Sequence, residues 1–550
     1  MAWVLWSLCV AHFILANAAD PRTSFRTKCL SFKPRTHVAG DAVLNHLDYV
    51  PAGTTLGLPD TDPSCNRASQ AVAVDLCRVT LSVPTSGRSG FHYELWLPEA
   101  WNGRTLATGN GGLDGCIKYE DIAYGAANGF SSFGTNNGHN GSSGAAFYRN
   151  EDAVIDFSWR ALHTSVEIGK DLTSRFYDRK PGKSYYIGCS LGGRQGIGSA
   201  EKFPGDFDGI VAGAPALDFN SLYSWRASFF PITGDARAPD FIPAETWKTT
   251  IHDEVLRQCD YIDGVNDGII EDPTLCHVDV DRLLCGYNSD KNNTSSSRAS
   301  TDCLSPAQVG KVKTIFADYL WPNGTLLYPR VNPGGELLAA DGLYAGQPYG
   351  PSADWFKYAI LGQPSWDPTT YTVADAALAV RKNPADIDTW PSSLAAFRRR
   401  GGKVLAYHGQ QDQQISSLNS VRFWRRLADL ELDGAGTGAG MDEFFRLFRI
   451  PGMNHCSGGP GAWVVGQGGS PASYGIPFDG AHNVLAAVVD WVEEGRAPGE
   501  IVGTKFVGDS VDAGVSYRHR HCRYPYRSTY SGEGDPLDIE SWHCVNFGGV

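Results

Sequence analysis

Apolar positions along the chain change period several times, and each change marks an element. Residues 92–110 begin in alternation, with β-formers in His92-Tyr93-Glu94-Leu95-Trp96-Leu97, and end in a glycine-rich stretch, Gly109-Asn110-Gly111-Gly112. That alternation predicts a half-buried strand. Residues 153–176 then space Val, Ile, Phe, Trp and Leu as one face of a helix requires. A short apolar run, Ser184-Tyr185-Tyr186-Ile187, predicts a buried strand and leads into Gly188-Cys189-Ser190-Leu191-Gly192-Gly193; residues 209–213 predict another. Strand, helix and strand in alternation imply a parallel sheet with helices on both faces.

Residues 220–395 break this rhythm. They are rich in Pro, Asp, Asn, Ser and aromatics and contain four cysteines. The α/β pattern then returns, with strands predicted at 403–407 and 444–450 and an amphipathic helix at 482–494. We therefore expect one α/β domain, 20–219 and 396–550, interrupted by a lid at 220–395. A length of 550 residues agrees with one large domain carrying a sizeable insertion.

Residues 3–15 form an apolar stretch, and Ala16-Asn17-Ala18 offers small residues for cleavage, so 1–19 reads as a secretory signal. The stretch is shorter than the ~20 residues a membrane span needs. The remaining cysteines are twelve once Cys9 is removed with the signal. An even count in an exported chain points to disulfides. No C-x-x-C pair occurs, which argues against zinc despite His521-Cys522 and His543-Cys544. Sequons at Asn140, Asn292, Asn293 and Asn323 permit N-glycosylation. A formal charge of −13 disfavours nucleic acid and anionic membranes as partners. Oligomeric state is not legible.

Gly188-Cys189-Ser190-Leu191-Gly192 matches G-x-S-x-G, in which a serine sits on a sharp strand-to-helix turn. Small neighbours let strand and helix approach, and the hydroxyl stands above the sheet. A serine nucleophile needs a base and an orienting acid, here in the chain order Ser, Asp, His. Asp412, in His408-Gly409-Gln410-Gln411-Asp412, follows a strand. His455, in Asn454-His455-Cys456, lies in a late loop. His408 and His482 are rival bases. Cys189 precedes the serine and Cys456 follows the histidine. If Ser190 and His455 meet, these cysteines are close enough to bond, which would tie the two turns together. The oxyanion needs two N–H donors: Leu191 supplies one, and the second is expected from the Gly109–Gly112 loop, with Gly112 favoured.

Gly188-Cys189-Ser190-Leu191-Gly192-Gly193, Asp412-Gln413-Gln414-Ile415 and His455-Cys456 together resemble the tannase and feruloyl esterase family. The resemblance covers nearly the whole mature chain. It implies an α/β-hydrolase fold with a large inserted lid, the triad Ser190, Asp412 and His455, and a Cys189–Cys456 disulfide. It also suggests the pairings Cys29–Cys77, Cys65–Cys116, Cys285–Cys303 and Cys522–Cys544. Within the insertion, Cys259-Asp260-Tyr261-Ile262-Asp263-Gly264-Val265-Asn266-Asp267-Gly268-Ile269 crowds carboxylates into one loop. On composition alone this is either a solvated acidic turn or an all-oxygen cation site that suits Ca²⁺. The resemblance implies a structural Ca²⁺ held by the side chains of Asp260, Asp263 and Asp267 and the carbonyls of Val265 and Ile269. A Cys259–Cys276 bond would close that loop. No cofactor is expected for catalysis.

The activity this implies is acyl transfer in a secreted carboxylic ester hydrolase. Ferulic and related hydroxycinnamic esters of plant cell-wall polysaccharide are the favoured substrates. Gallate esters, cleaved by a tannase, are the alternative, and a catalytically inactive binding protein is the non-enzyme one. The insertion's aromatics (Tyr223, Trp225, Phe229, Phe230, Trp247, Trp355, Phe356) suit a flat phenolic acyl group, although any one of them is more simply read as lid core.

Overall fold

The computed structural model describes residues 21–35, 41–287, 303–431 and 440–547. The signal segment and the sequons at Asn292 and Asn293 lie outside the described residues. A nine-stranded mixed sheet organises the chain. Its strands are β1 (Val43–Val50), β2 (Leu76–Pro84), β3 (Gly90–Pro98), β4 (Arg104–Thr108), β5 (Ser131–Thr135), β6 (Lys183–Cys189), β7 (Gly209–Gly213), β8 (Lys403–Gly409) and β9 (Phe445–Ile450). Their spatial order is β1-β2-β3-β5-β4-β6-β7-β8-β9. The first wing pairs antiparallel, and from β5 onward all pairs are parallel. This is an α/β-hydrolase fold.

Among the helices that cover the two faces are α1 (Ala161–Tyr177), α2 (Leu191–Lys202) and, near the C-terminus, Val484–Glu494. The last was expected to be amphipathic. It is instead buried on nearly every side, through Val484, Leu485, Ala486, Ala487, Val488, Val489 and Trp491. Central strands are buried on both faces, so β7 reads Gly-Ile-Val-Ala-Gly with every residue inside. The apolar run of 153–176 is one helix path interrupted by a wide turn at Asp156–Arg160.

Between β7 and β8 the chain leaves the sheet for the whole of 214–402. This excursion opens with the helix Phe219–Thr233 and is mostly helical, and among its described residues the named strands form one two-stranded ribbon. Trp225, Phe229, Trp247, Trp355 and Phe356 are packed in its core, which also takes in Leu113, Leu191 and Ile415 from the sheet domain. The insertion is thus cored against the top of the sheet rather than beside it. Residues 500–546 form two further ribbons, Glu500–Phe506 with Val515–Cys522 and Tyr526–Tyr530 with Trp542–Asn546. Their sequence is polar and was not singled out as strand.

The insertion returns to the sheet past Asp388, whose carboxylate accepts from the Asn220 backbone N–H at 2.8 Å and from its Nδ2 at 2.6 Å. Burial pushes this carboxyl up to about 7; the Asn220 bonds oppose the rise and the charge of Asp218 adds to it. A folded pKa above the unfolded value means that stability is lost as pH climbs from the ordinary Asp range, about 3.9, to about 7, and is then level. Asp388→Asn removes that loss. Its melting temperature, measured across pH, should rise relative to the parent between pH 4 and pH 7 and run parallel above; a constant offset would contradict the assignment.

Candidate active site

Ser190 links β6 to α2 with φ 65° and ψ −121°, a backbone state that non-glycine residues avoid. Its N–H donates to Gly213 O at 2.9 Å, and its carbonyl accepts from Ala216 at 3.0 Å. The turn is therefore held from β7. Close approach explains the flanking glycine: a Cβ on Gly193 would meet Gly213 O at 2.3 Å.

Asp412 follows β8, 3% exposed, and takes four hydrogen bonds. Its Oδ1 accepts from the backbone N–H groups of Gln414 at 2.7 Å and Ile415 at 2.8 Å. Its Oδ2 accepts from His455 Nδ1 at 2.7 Å and from His408 Nε2 at 3.1 Å. Burial alone would raise its pKa. The charge of His455 and the bonds from both histidines outweigh burial and hold the carboxyl well below the usual range. His455 therefore has its Nδ1 fixed, and its backbone N–H donates to Gln413 Oε1 at 3.1 Å. No hydrogen bond joins Ser190 Oγ to His455 Nε2 among the described residues; the turns that carry them are joined by the bond between Cys189 and Cys456, whose Cα atoms are 6.0 Å apart. Acid and base loops touch as well. Gln411 N donates to Met453 O at 3.0 Å, and a Cβ on Gly409 would meet that carbonyl at 2.4 Å.

Neither rival histidine is placed as the base. His408 is fully buried, with Nδ1 on Ser420 Oγ at 2.8 Å. It lies near the end of β8, and its bond to Asp412 was not anticipated. His482 sits at a helix start, bonded to Asp479 at 2.9 Å.

Leu191 opens α2, where backbone N–H groups lack helical partners. The Gly109–Gly112 loop meets this turn where Gly192 N donates to Asn110 O at 2.9 Å. Gly112 has φ 51°, and its carbonyl accepts from Tyr223 Oη of the insertion at 3.3 Å. Arg226 Nε reaches Gln414 O at 2.8 Å, and Tyr349 Oη reaches Gln414 Oε1 at 3.2 Å. Among the aromatics named from sequence, Tyr223 belongs to the insertion's core and also contacts the Gly109–Gly112 loop. Trp225, Phe229, Trp247, Trp355 and Phe356 are core, while Phe230 lies outside that core. Arg226 and Tyr349 were not anticipated.

The family model described as tannase and feruloyl esterase matches residues 77–545. The chain belongs to this family. A probable feruloyl esterase B-2 of Aspergillus flavus is 54% identical over 93% of this chain and 95% of its own length. A probable feruloyl esterase B-2 of Aspergillus fumigatus is 45% identical over 98% of each. The crystal structure of feruloyl esterase B from Aspergillus oryzae superposes with a TM-score of 0.89, at 44% identity, over 95% of this chain and 100% of that one. A tannin acyl hydrolase from Aspergillus niger shares the fold, with a TM-score of 0.71 at 20% identity, over 95% of this chain and 94% of that one. This member of the family is accordingly a carboxylic ester hydrolase.

Six disulfides are present: Cys29–Cys77, Cys65–Cys116, Cys189–Cys456, Cys259–Cys276, Cys285–Cys303 and Cys522–Cys544. In the acidic loop, Asp260 accepts from Gly268 N at 3.1 Å, Asp263 from Val265 N at 2.9 Å and Asp267 from Ile269 N at 3.0 Å. Among the described residues no group of three His, Cys, Asp or Glu side chains is arranged to hold a metal. The electrostatics nevertheless fit a hard cation. Burial pushes Asp263 up to about 7, against its Val265 bond and helped by the charges of Glu271 and Asp267. Burial likewise takes Asp267 up to about 6, with Asp260 and Glu271 adding to the rise. Glu271, not singled out from sequence, is buried 3.4 Å from His519 Nε2.

Two expectations follow. Replacing His408 by Ala removes one of Asp412's charged-acceptor bonds, worth ~1.5–3 kcal/mol; kcat should fall about ten-fold or more with KM little changed, as steady-state kinetics on a folded variant will report. Cys189→Ala/Cys456→Ala should lose ~2–4 kcal/mol of stability and most of its kcat at a temperature where circular dichroism still shows the native fold. Full activity in the folded double variant would refute the role given to the bond.

Proposed function

We propose that this chain is a secreted feruloyl esterase that cleaves hydroxycinnamate esters of plant cell-wall polysaccharide through Ser190, His455 and Asp412. The observation that supports it best is the Cys189–Cys456 bond, which sets the hydroxyl-bearing turn beside an imidazole already fixed by Asp412 at 2.7 Å. The feruloyl preference follows the names of the relatives at 54% and 45% identity. Export follows from residues 1–19 and agrees with the six disulfides.

In the first step His455 Nε2 takes the proton of Ser190, and Oγ adds to the ester carbonyl carbon. The carbonyl oxygen becomes an oxyanion, received by the backbone N–H groups of Leu191 and Gly112. The imidazolium is stabilised by Asp412, which stays ionised. The C–O bond to the sugar breaks, and the alkoxide leaves with the proton from His455. Water, deprotonated by His455, then adds to the acyl-serine, and the acid departs as Ser190 Oγ is reprotonated. Tyr223, Arg226 and Tyr349 link the Gly109–Gly112 loop and the Asp412 loop to the insertion, which supports an acyl pocket at that junction. A Ca²⁺ held by Asp260, Asp263, Asp267 and the carbonyls of Val265 and Ile269 would supply charge neutralisation within the insertion.

Kinetics on methyl ferulate, methyl caffeate, methyl gallate and a gallate depside decide the acyl class. Hydroxycinnamates should lead; a gallate preference would favour the tannase alternative, and failure of a serine-directed organophosphonate to label Ser190 would favour a non-catalytic protein. Chelation should lower the melting temperature by several degrees, reversed by added Ca²⁺, consistent with ~2–4 kcal/mol of binding linkage. An unchanged melting temperature would count against the cation.

A further inference from the structure

A cleft of about 470 Å³ opens on the outer wing of the sheet, away from the insertion. That size falls among ligand pockets, which run about 300–1,000 Å³. One face of the β2–β3 pair (Val79, Leu81 and Val83 with Phe91 and Leu95) is sealed in the core. The other face forms the cleft floor. There Arg78 and Glu94 make a bidentate pair, Nε–Oε1 2.7 Å and Nη2–Oε2 3.1 Å, 8% and 1% exposed. Beside them, directly across from Glu94, lies Thr80, 6% exposed, whose Oγ1 has no partner among the described residues. A buried hydroxyl without a partner costs free energy unless something else bonds it. The rim carries exposed Asn45 and His92 joined through Ser82, with Asn45 Nδ2–Ser82 Oγ 2.9 Å and Ser82 Oγ–His92 Nδ1 3.3 Å.

The ligand chemistry follows from this lining. The floor pair is charge-neutral and Asp60 and Asp62 stand at the edge, so an anion is disfavoured. Besides the apolar surfaces of Ile117, Tyr93 and Tyr119, the lining offers amide, hydroxyl, imidazole and an ion pair, which a wholly apolar occupant would strip of water. Mixed donors and acceptors around an unmatched hydroxyl suit a neutral polyhydroxylated ligand.

Position ties the cleft to catalysis. β5 runs parallel to β4, so Asn136, which follows β5, stands at the same sheet edge as the Gly109–Gly112 turn. Asn136 is fixed to His92, accepting from its N–H at 2.7 Å. Asn110 Nδ2 donates to Cys116 O at 2.9 Å and to Thr135 O at 2.7 Å. One loop therefore presents Gly112 to the serine side and Gly115-Cys116-Ile117 to the cleft.

We propose that the cleft is a subsite for the neutral sugar chain that carries the ester; this rests on the polysaccharide-ester reading above. The test uses the full-length protein and an Asn45→Ala/His92→Ala variant, both exposed rim positions outside the catalytic residues. Unesterified xylotetraose is titrated by calorimetry, and kcat/KM is measured on a feruloylated xylo-oligosaccharide and on methyl ferulate. Loss of two hydrogen-bonding side chains should weaken xylotetraose and raise KM for the sugar ester about ten-fold, with methyl ferulate unchanged. No xylotetraose binding by the parent protein, an unaltered sugar-ester KM, or an equal loss on methyl ferulate would overturn the subsite. If xylotetraose binds but methyl ferulate is not cleaved, the acyl assignment fails and the subsite stands. Asn140 lies at the same rim and bears a sequon. Binding that appears only in Asn140→Gln protein would show that the chain's own glycan fills the cleft and would overturn the proposal.

Discussion

A sulfur–sulfur bond joins two turns that each hold a non-glycine residue at positive φ, Ser190 and Cys456, both at 65°. Such backbone states cost ~1–3 kcal/mol each and persist only where surroundings over-determine them. Here the surroundings are specific. Gly213 and Ala216 grip Ser190 from the neighbouring strand and its loop, and Met453 O grips the acid loop from the base loop. Without a covalent tie, nucleophile and base would depend on two independently placed loops separated by 267 positions. The bond makes the spacing of the Ser190 and His455 turns a local property.

The insertion is tied into the same arrangement by its core rather than by a hinge. Leu191, one residue past the nucleophile, and Ile415, three past the acid, belong to the hydrophobic cluster that contains Trp225, Trp247 and Trp355. Arg194 on the nucleophile helix is buried with no carboxylate partner among the described residues, bonding Ser158 O at 2.8 Å and Thr389 Oγ1 at 3.1 Å. Burial lowers its pKa to about 10, so it stays charged and needs those acceptors. A lid that shares apolar core and a buried cation with the catalytic helix cannot swing away without exposing both. Tyr223, Arg226 and Tyr349 add polar ties to the same contact, to the Gly112 carbonyl and to Gln414.

Much of this was legible in sequence because the chemistry is local there. The Gly188–Gly193 turn, Asp412 in its post-strand loop and His455 beside Cys456 each carry a short signature. The fold class was legible too, since buried parallel strands write continuous apolar runs. What stayed hidden was long-range. His408 is four residues from Asp412, yet its bond to that carboxylate depends on Ser420 holding the other ring nitrogen. Glu271 meets His519 across 248 positions, on a ribbon whose Arg- and His-rich strands do not read as core. The C-terminal helix was expected to be amphipathic, but its six consecutive apolar residues from Val484 to Val489 are all buried, and its exposed polar surface is confined to Glu493 and Glu494 in the last turn.

Aspartates in two loops show how context decides state. Asp412 receives four hydrogen bonds and sits far below the usual range, while burial and like-charged neighbours push Asp263 up to about 7. The acidic loop carrying Asp263 is not remote from the triad. Gln410, two residues before the acid, donates to Glu271 O at 2.8 Å. Arg449, in the strand that leads to the base loop, bonds Asp272 at 3.1 Å. The segment that carries Asp263, Asp267 and Glu271 thus braces both the Asp412 loop and the strand that leads to His455.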